Sequence, residues 1–273
     1  MDSLDLVSPY LFKHRRRNFL VKDKMRPADL DALHHFETRP TDIFLVTYPK
    51  SGTAWMQQIL VQIMDAAHPG WAEDATNRTH VPWLEERSVD NPSRERPDPR
   101  IFGSTDSGIR LQPNLLNMNP KDILVSLYHF SHVWVLLETP QSFEALKQIF
   151  SPTVYMGSWF DHIQDYHKAQ DQLNIHFVQY ESMLKDLRGE VVKLCVFLEK
   201  DLTDEAVDRV VEASTFKSMK TNPKANYKDL VETDRVAGDW KNLFTVAQNE
   251  HFDKVLKEKM SNLALTCVWE IKE

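Results

Sequence analysis

Short apolar runs bounded by turn residues alternate along the chain with longer stretches in which apolar positions recur at helical spacing. The run Ile43-Phe44-Leu45-Val46-Thr47-Tyr48, between Asp42 and Pro49, has the length and residue types of a buried strand. After the turn Pro49–Gly52, Trp55, Ile59, Leu60 and Ile63 share one face of a helix predicted over Thr53–Ala66. A further helix is predicted to start after Asn119-Pro120-Lys121-Asp122 and to run through Ile123–Phe130, followed by a strand over Ile175–Tyr180. Helices are expected over Leu187–Leu198, Thr203–Ala213 and Val246–Met260. Residues 68–113, rich in Pro, Asp, Asn, Ser and Arg, predict loops with short helices at most, and residues 1–40 predict a polar, irregular N-terminal segment. Strands separated by helices predict an α/β fold. The expectation is a single domain over residues 1–273, a central parallel sheet flanked by helices with a P-loop-like strand–loop–helix.

Composition narrows the partners. The formal net charge of −7 argues against nucleic acid or an anionic membrane surface, so an anionic ligand needs a local basic pocket. The one dense basic cluster, His14-Arg15-Arg16-Arg17, reads as a solvated face. Of two cysteines, Cys195 lies in an apolar run and reads as a buried free thiol, and nothing suggests a disulfide framework or a metal site. The start Met-Asp-Ser-Leu-Asp lacks the basic and apolar regions of a signal peptide, and no apolar stretch approaches a membrane span. A cytoplasmic protein is therefore expected.

The strongest chemical signal is the turn between the first strong strand and its helix. A helix N-terminus presents unpaired N–H groups and partial positive charge, and attracts phosphate. Lys50 adds a full charge, Ser51 and Thr53 add hydroxyl donors, and Gly52 lets the backbone approach an anion. The lysine precedes the single glycine, so this is not a Walker A loop, and an ordinary P-loop kinase or NTPase is disfavoured.

The full string Thr47-Tyr48-Pro49-Lys50-Ser51-Gly52-Thr53-Ala54-Trp55 closely resembles the 5′-phosphosulfate loop of the cytosolic sulfotransferases, with Ala54 as the variant position. Further resemblances follow in the family's order: Asn119-Pro120-Lys121-Asp122 with Ser126, Gly157–His162, Tyr180-Glu181-Ser182-Met183, Ser214-Thr215-Phe216 with Met219, and Gly238-Asp239-Trp240-Lys241-Asn242. The resemblance implies transfer of a sulfuryl group from 3′-phosphoadenosine-5′-phosphosulfate (PAPS) to the hydroxyl or amine of a small phenol, steroid or other acceptor, without a metal. Lys50 would neutralise the leaving phosphate, held by Ser51, Gly52, Thr53, Ala54 and Trp55. Ser126 would bind the 3′-phosphate, while Trp55, Tyr180 and Phe216 would border the adenine beside Ser214 and Met219. Lys241, Thr245, Val246 and Glu250 fit the family's homodimer motif.

Two segments depart from the family pattern. Counting from Pro99-Arg100-Ile101, Thr105 stands where the family's proton-accepting histidine is expected, and a hydroxyl alone cannot replace imidazole near neutral pH. Asp106 is a weaker candidate acceptor. His80, within the superficially similar Thr79-His80-Val81-Pro82, reads as a loop histidine, and His129 and His132 as structural or exposed. Trp83-Leu84-Glu85 resembles the family's acceptor-pocket segment instead. Trp83, Trp134, Phe143 and Phe150 read first as core residues.

The stretch from Arg100 to Asn119 is shorter than in the family by roughly one strand's length. It ends in Met118, where the family has a phosphate-binding arginine. Before Gly238, where the family reads Arg-Lys-Gly, the chain has Thr233, Asp234 and Arg235 on a shortened approach. Arg235 would partly compensate and Asp234 would repel the nucleotide. The alternative reading is therefore a catalytically impaired, nucleotide-binding homodimer: a splice form, a faulty gene model or a pseudoenzyme.

Overall fold

The computed structural model describes residues 4–15, 17–21, 25–72, 75–86, 95–105, 113–134, 137, 139–143, 155–225, 238–261, 263 and 267–269. The segment expected to be irregular begins instead with a three-stranded antiparallel sheet: β1 (Leu6–Ser8), β2 (Leu11–His14) and β3 (Arg17–Leu20). Phe12, Phe19 and Leu20 are buried with Met25, Leu30 of α1 (Pro27–Ala32) and Met156. These apolar residues are too sparse to read as strands locally; their partners come from far along the chain, as in the bridge Asn18–Tyr155. Arg17 likewise departs from the expected solvated face: its side chain is mostly buried and reaches Asp165 at 3.3 Å.

The central sheet is parallel, as expected. It contains β4 (Ile43–Thr47), β5 (Ile101–Ser104), β6 (Pro113–Asn117) and β7 (His176–Gln179) in the order β5-β4-β6-β7. Strand β5 was not anticipated, since residues 68–113 read as loop. The shortened approach to Asn119 still retains β6. Helices pack around the sheet: α2 (Thr53–Ala67), the short α3 (Asn77–His80), α4 (Pro120–Val133), α5 (Trp159–Ala169), α6 (Tyr180–Lys185), α7 (Leu187–Phe197), α8 (Asp204–Ala213) and α9 (Phe216–Thr221). Near the C-terminus lie α10 (Trp240–Leu243) and α11 (Val246–Met260).

Helix α2 is buried more fully than a one-faced amphipathic helix. Met56 and Gln57 through Val61 are buried, as are Ile63 and Met64, packed between β4 and α7–α8. Gln57 and Gln58 are tolerated inside because they donate to the carbonyls of Val81 and Ala213. A second core under α4 gathers Tyr48, Ile123, Leu124, Trp159, Phe160 and Phe252, and ties α11 to α5. Cys195 is a buried free thiol, as expected, and burial raises its pKa.

Candidate active site

The chain leaves β4 for β5 on one side, then crosses to β6 on the other. That reversal makes a topological switch point at the carboxyl ends of the strands, and open α/β sheets bind ligands in the crevice at such a point. Tyr48–Gly52 follow β4, Thr105 follows β5, Met118 and Asn119 follow β6, and Tyr180 follows β7. The register pairs Val46 with Ser104 and Asn117 with Gln179, so these four segments emerge side by side.

The loop after β4 owes its shape to two left-handed residues, Lys50 (φ 69°) and Gly52 (φ 94°). Gly52 also serves as the N-cap of α2. A Cβ at Gly52 would lie 2.6 and 2.9 Å from the Tyr180 ring, so only glycine allows both this turn and this approach. The Thr47 and Thr53 hydroxyls meet at 2.7 Å and staple the strand end to the helix start. Ser51 is fully buried with no hydrogen-bond partner for its Oγ. An unsatisfied buried hydroxyl at a helix N-terminus fits an anion acceptor that arrives with a ligand. The Lys50 ammonium lies 4.1 Å over the Phe130 ring of α4.

The other side of the crevice is assembled by long-range hydrogen bonds. Trp55 donates its indole N–H to the Ser214 carbonyl at 2.7 Å and meets Tyr180 edge-on at 5.2 Å between centroids. Ser214 is buried and its Oγ also has no partner, whereas Phe216, the next aromatic, is 63% exposed. Met219 follows on α9, and Ala54 occupies the first turn of α2. Asn119 donates its N–H to Glu181 at 2.8 Å, and its side chain caps α4 through the Lys121 N–H. Ser126 is buried on the same helix. Asp122 accepts from the backbone N–H groups of Gly238 (2.9 Å) and Trp240 (3.4 Å). The C-terminal Gly-Asp-Trp-Lys segment is thereby docked on α4. Burial raises the Asp122 pKa, and these two N–H donors oppose the rise.

The structure thus brings Lys50, Ser51, Gly52, Thr53, Ala54, Trp55, Tyr180 and Ser214 together around one crevice, with Ser126, Phe216 and Met219 on elements joined to it. Arg235, Thr233 and Asp234 lie outside the described residues, as do Asp106 and Phe150. Met118 is half-buried and packs with the α4–α5 core.

Thr105 is buried, and its surroundings were not legible in the sequence. The segment after α3 runs beside β5, with Leu84 N–H on the Gly103 carbonyl and Gly103 N–H on the Pro82 carbonyl, both at 2.9 Å. This delivers the buried carboxylate of Glu85 to the end of β5. Its Oε1 accepts from Ser104 Oγ (2.8 Å), the Thr105 N–H (2.7 Å) and Thr105 Oγ1 (3.3 Å). Arg17 reaches the Thr105 carbonyl at 3.5 Å from the N-terminal sheet. His162 also lies alongside, wholly buried, with its ring against the Thr105 backbone. Burial first, then the Arg17 charge, lowers its pKa to about 3. Trp83-Leu84-Glu85 carried a family resemblance, but no spacing rule linked it to Thr105.

The remaining histidines sit elsewhere. His80 ends α3, its ring tilted against Trp71 and its carbonyl held by Arg96, and burial lowers its pKa. His132 bonds the Tyr128 carbonyl on its own helix. Among the described residues, no group of three or more His, Cys, Asp or Glu could hold a metal ion.

Comparison with known proteins decides what the crevice belongs to. Residues 40–264 match the sulfotransferase domain family. An amine sulfotransferase from Oryctolagus cuniculus is 37% identical, covering 99% of this chain and 97% of the relative. The chain belongs to the sulfotransferase family. A 3-beta-hydroxysteroid sulfotransferase from Cavia porcellus is 34% identical over 93% of this sulfotransferase and 90% of the relative. The rabbit alignment spans 298 positions against 273 residues, so that relative carries stretches this sulfotransferase lacks. The crystal structure of mouse sulfotransferase SULT7A1 complexed with PAP superposes with a TM-score of 0.73 at 26% identity, covering 93% of this chain and 95% of that one. A retinol dehydratase bound to retinol and PAP shares the fold, with a TM-score of 0.75 at 19% identity over 92% of this chain and 89% of that one.

Proposed function

We propose that this sulfotransferase, a single domain, transfers the sulfuryl group of PAPS to the hydroxyl or amine of a small acceptor. The observation that carries this reading is the loop Tyr48–Thr53. It combines a left-handed glycine tight against Tyr180, a buried hydroxyl without a partner at Ser51, and the N-terminus of a fifteen-residue helix. Those groups suit the 5′-phosphosulfate end of the nucleotide, and Lys50 supplies the charge that stabilises the leaving phosphate as the sulfur–oxygen bond breaks. Trp55, Tyr180 and Phe216 offer the aromatic surfaces for adenine. Ser214 and Met219 lie beside them, and Ser126 on α4 takes the 3′-phosphate. Arg235 belongs to the segment that would complete that phosphate site.

The same reading places the protein in the cytoplasm as a homodimer. Lys241, Thr245, Val246 and Glu250 form the contact: Val246 is 76% exposed at the start of α11, where Thr245 and Gln248 close a capping box. Thr105 in place of a base and Met118 in place of an arginine favour a second reading, a nucleotide-binding homodimer without turnover.

Titration calorimetry with PAP, together with a sulfation assay using labelled PAPS on phenol, steroid and amine acceptors, tests both. The expected result is nucleotide binding and turnover that are both reduced at least tenfold in Lys50→Ala. Binding without turnover would favour the second reading. No binding by a folded sample would refute both.

A further inference from the structure

We propose that Thr105 and Glu85 form a two-step proton relay that takes the proton of the acceptor hydroxyl. This deepens the sulfotransferase reading and rests on it. Three observations carry it. The 43–46/101–104 register sets Thr105 beside Thr47, next to the loop that faces the phosphosulfate. The Thr105 hydroxyl points at Glu85 Oε1, 3.3 Å away, while its backbone N–H and the Ser104 hydroxyl hold the same oxygen at 2.7 and 2.8 Å. Glu85 is only 3% exposed, and the Thr105 hydroxyl at the end of β5 is one of the groups that hold its Oε1.

As the acceptor oxygen bonds to sulfur, the bond from sulfur to the leaving phosphate oxygen breaks and its electron pair stays on the phosphate. The acceptor proton moves to Thr105 Oγ1, and the proton already on Oγ1 moves to Glu85 Oε1. A hydroxyl, which is too weak a base alone, needs only to pass a proton when a carboxylate stands behind it.

His162 is the competing candidate, because it also lies against Thr105. Its pKa of about 3 makes it a poor proton acceptor near neutrality. Around the pair lie Arg17 from β3 and His162 from α5 on the Thr105 side and Tyr155 near Glu85, while Tyr166 and Tyr48 adjoin His162. Burial, then the Glu85 and Glu86 charges, raise the Tyr155 pKa well above the usual range. Burial likewise raises Tyr48, so neither phenol competes as a base near neutrality.

The test measures kcat with saturating PAPS and 2-naphthol across pH 5–9, with PAP affinity by calorimetry and Tm as controls. Glu85→Gln and Thr105→Val are each expected to lower kcat by ~10²-fold while leaving the PAP Kd within about threefold. Thr105→Ser recovers part of the rate. Thr105→His supplies its own base, so its profile gains an inflection near pH 6.5. Adding Glu85→Gln to Thr105→His then costs less than about threefold, whereas a purely structural Glu85 would cost the same in both backgrounds. Wild-type turnover that survives Thr105→Val, or equal losses from Glu85→Gln in both backgrounds, would overturn the relay. So would tight PAP binding without any wild-type turnover, an outcome that leaves nucleotide binding standing. Absence of PAP binding would remove the sulfotransferase reading and the relay together.

Discussion

Replacing Gly52 with alanine perturbs the tightest approach in the crevice, and its cost has two separable parts. Holding alanine at φ 94° costs ~1–2 kcal/mol, because a Cβ crowds the following carbonyl in the left-handed region. The new Cβ would also lie 2.6 Å from a Tyr180 ring carbon, well inside contact distance, so the ring must swing away. Its edge-on contact with Trp55 is then lost, a further ~0.5–1.5 kcal/mol. The sum is about 1.5–3.5 kcal/mol, or a Tm lowered by ~3–14 °C in a domain of this size.

Calorimetric unfolding measures the stability, and titration with PAP below the transition measures the site. Because the displaced ring and reoriented N–H groups both belong to the proposed nucleotide site, affinity should fall at least tenfold even where the variant is fully folded. The double variant Gly52→Ala/Tyr180→Ala isolates the clash. With the ring gone, the alanine should cost only the backbone part. If the Gly52→Ala penalty is the same in both backgrounds, within ~0.3 kcal/mol, the steric account is wrong.

Two further predictions rest on other sites. His162 is neutral when folded, with a pKa of about 3 against ~6.5 in the unfolded chain, so between these values the unfolded state binds more protons and stability rises with pH. Lowering pH from 7 to 5 should cost ~2 kcal/mol through this residue, and His162→Phe should flatten the denaturation-measured dependence; an unchanged slope would rule the assignment out. Val246→Glu places a charge on the exposed apolar start of α11 and should convert dimers to monomers on sizing chromatography. A monomeric wild type would defeat that proposal.

Much of this architecture is written locally. The strand at residues 43–47 and the helices at 53–67, 187–197, 204–213 and 246–260 lie within a residue or two of where the apolar spacing puts them. Each is long or strongly patterned enough for local preference and burial to agree. The N-terminal sheet and β5 escaped the same reading. Residues 6–20 mix apolar and basic positions, and β5 is a four-residue strand containing a glycine. Both exist because distant segments bury them, Met156 against Phe12 and Phe19, and β4 beside β5.

The candidate site divides along the same line. A phosphate loop is contiguous, so Lys50, Ser51, Gly52 and Thr53 carry their chemistry in their order alone: charge, hydroxyls and a residue free to turn left-handed at a helix start. The surroundings of Thr105 are not contiguous. Parallel register sets it beside Thr47, the 82–86 segment brings Glu85 to its hydroxyl, and α5 and β3 supply His162 and Arg17 from some sixty residues after it and ninety before. One-dimensional order determines which backbone amides can converge on an anion. Only packing across the sheet determines which carboxylate stands behind a hydroxyl, because the hydrogen bonds that unite them span elements whose separation in sequence carries no trace of their contact.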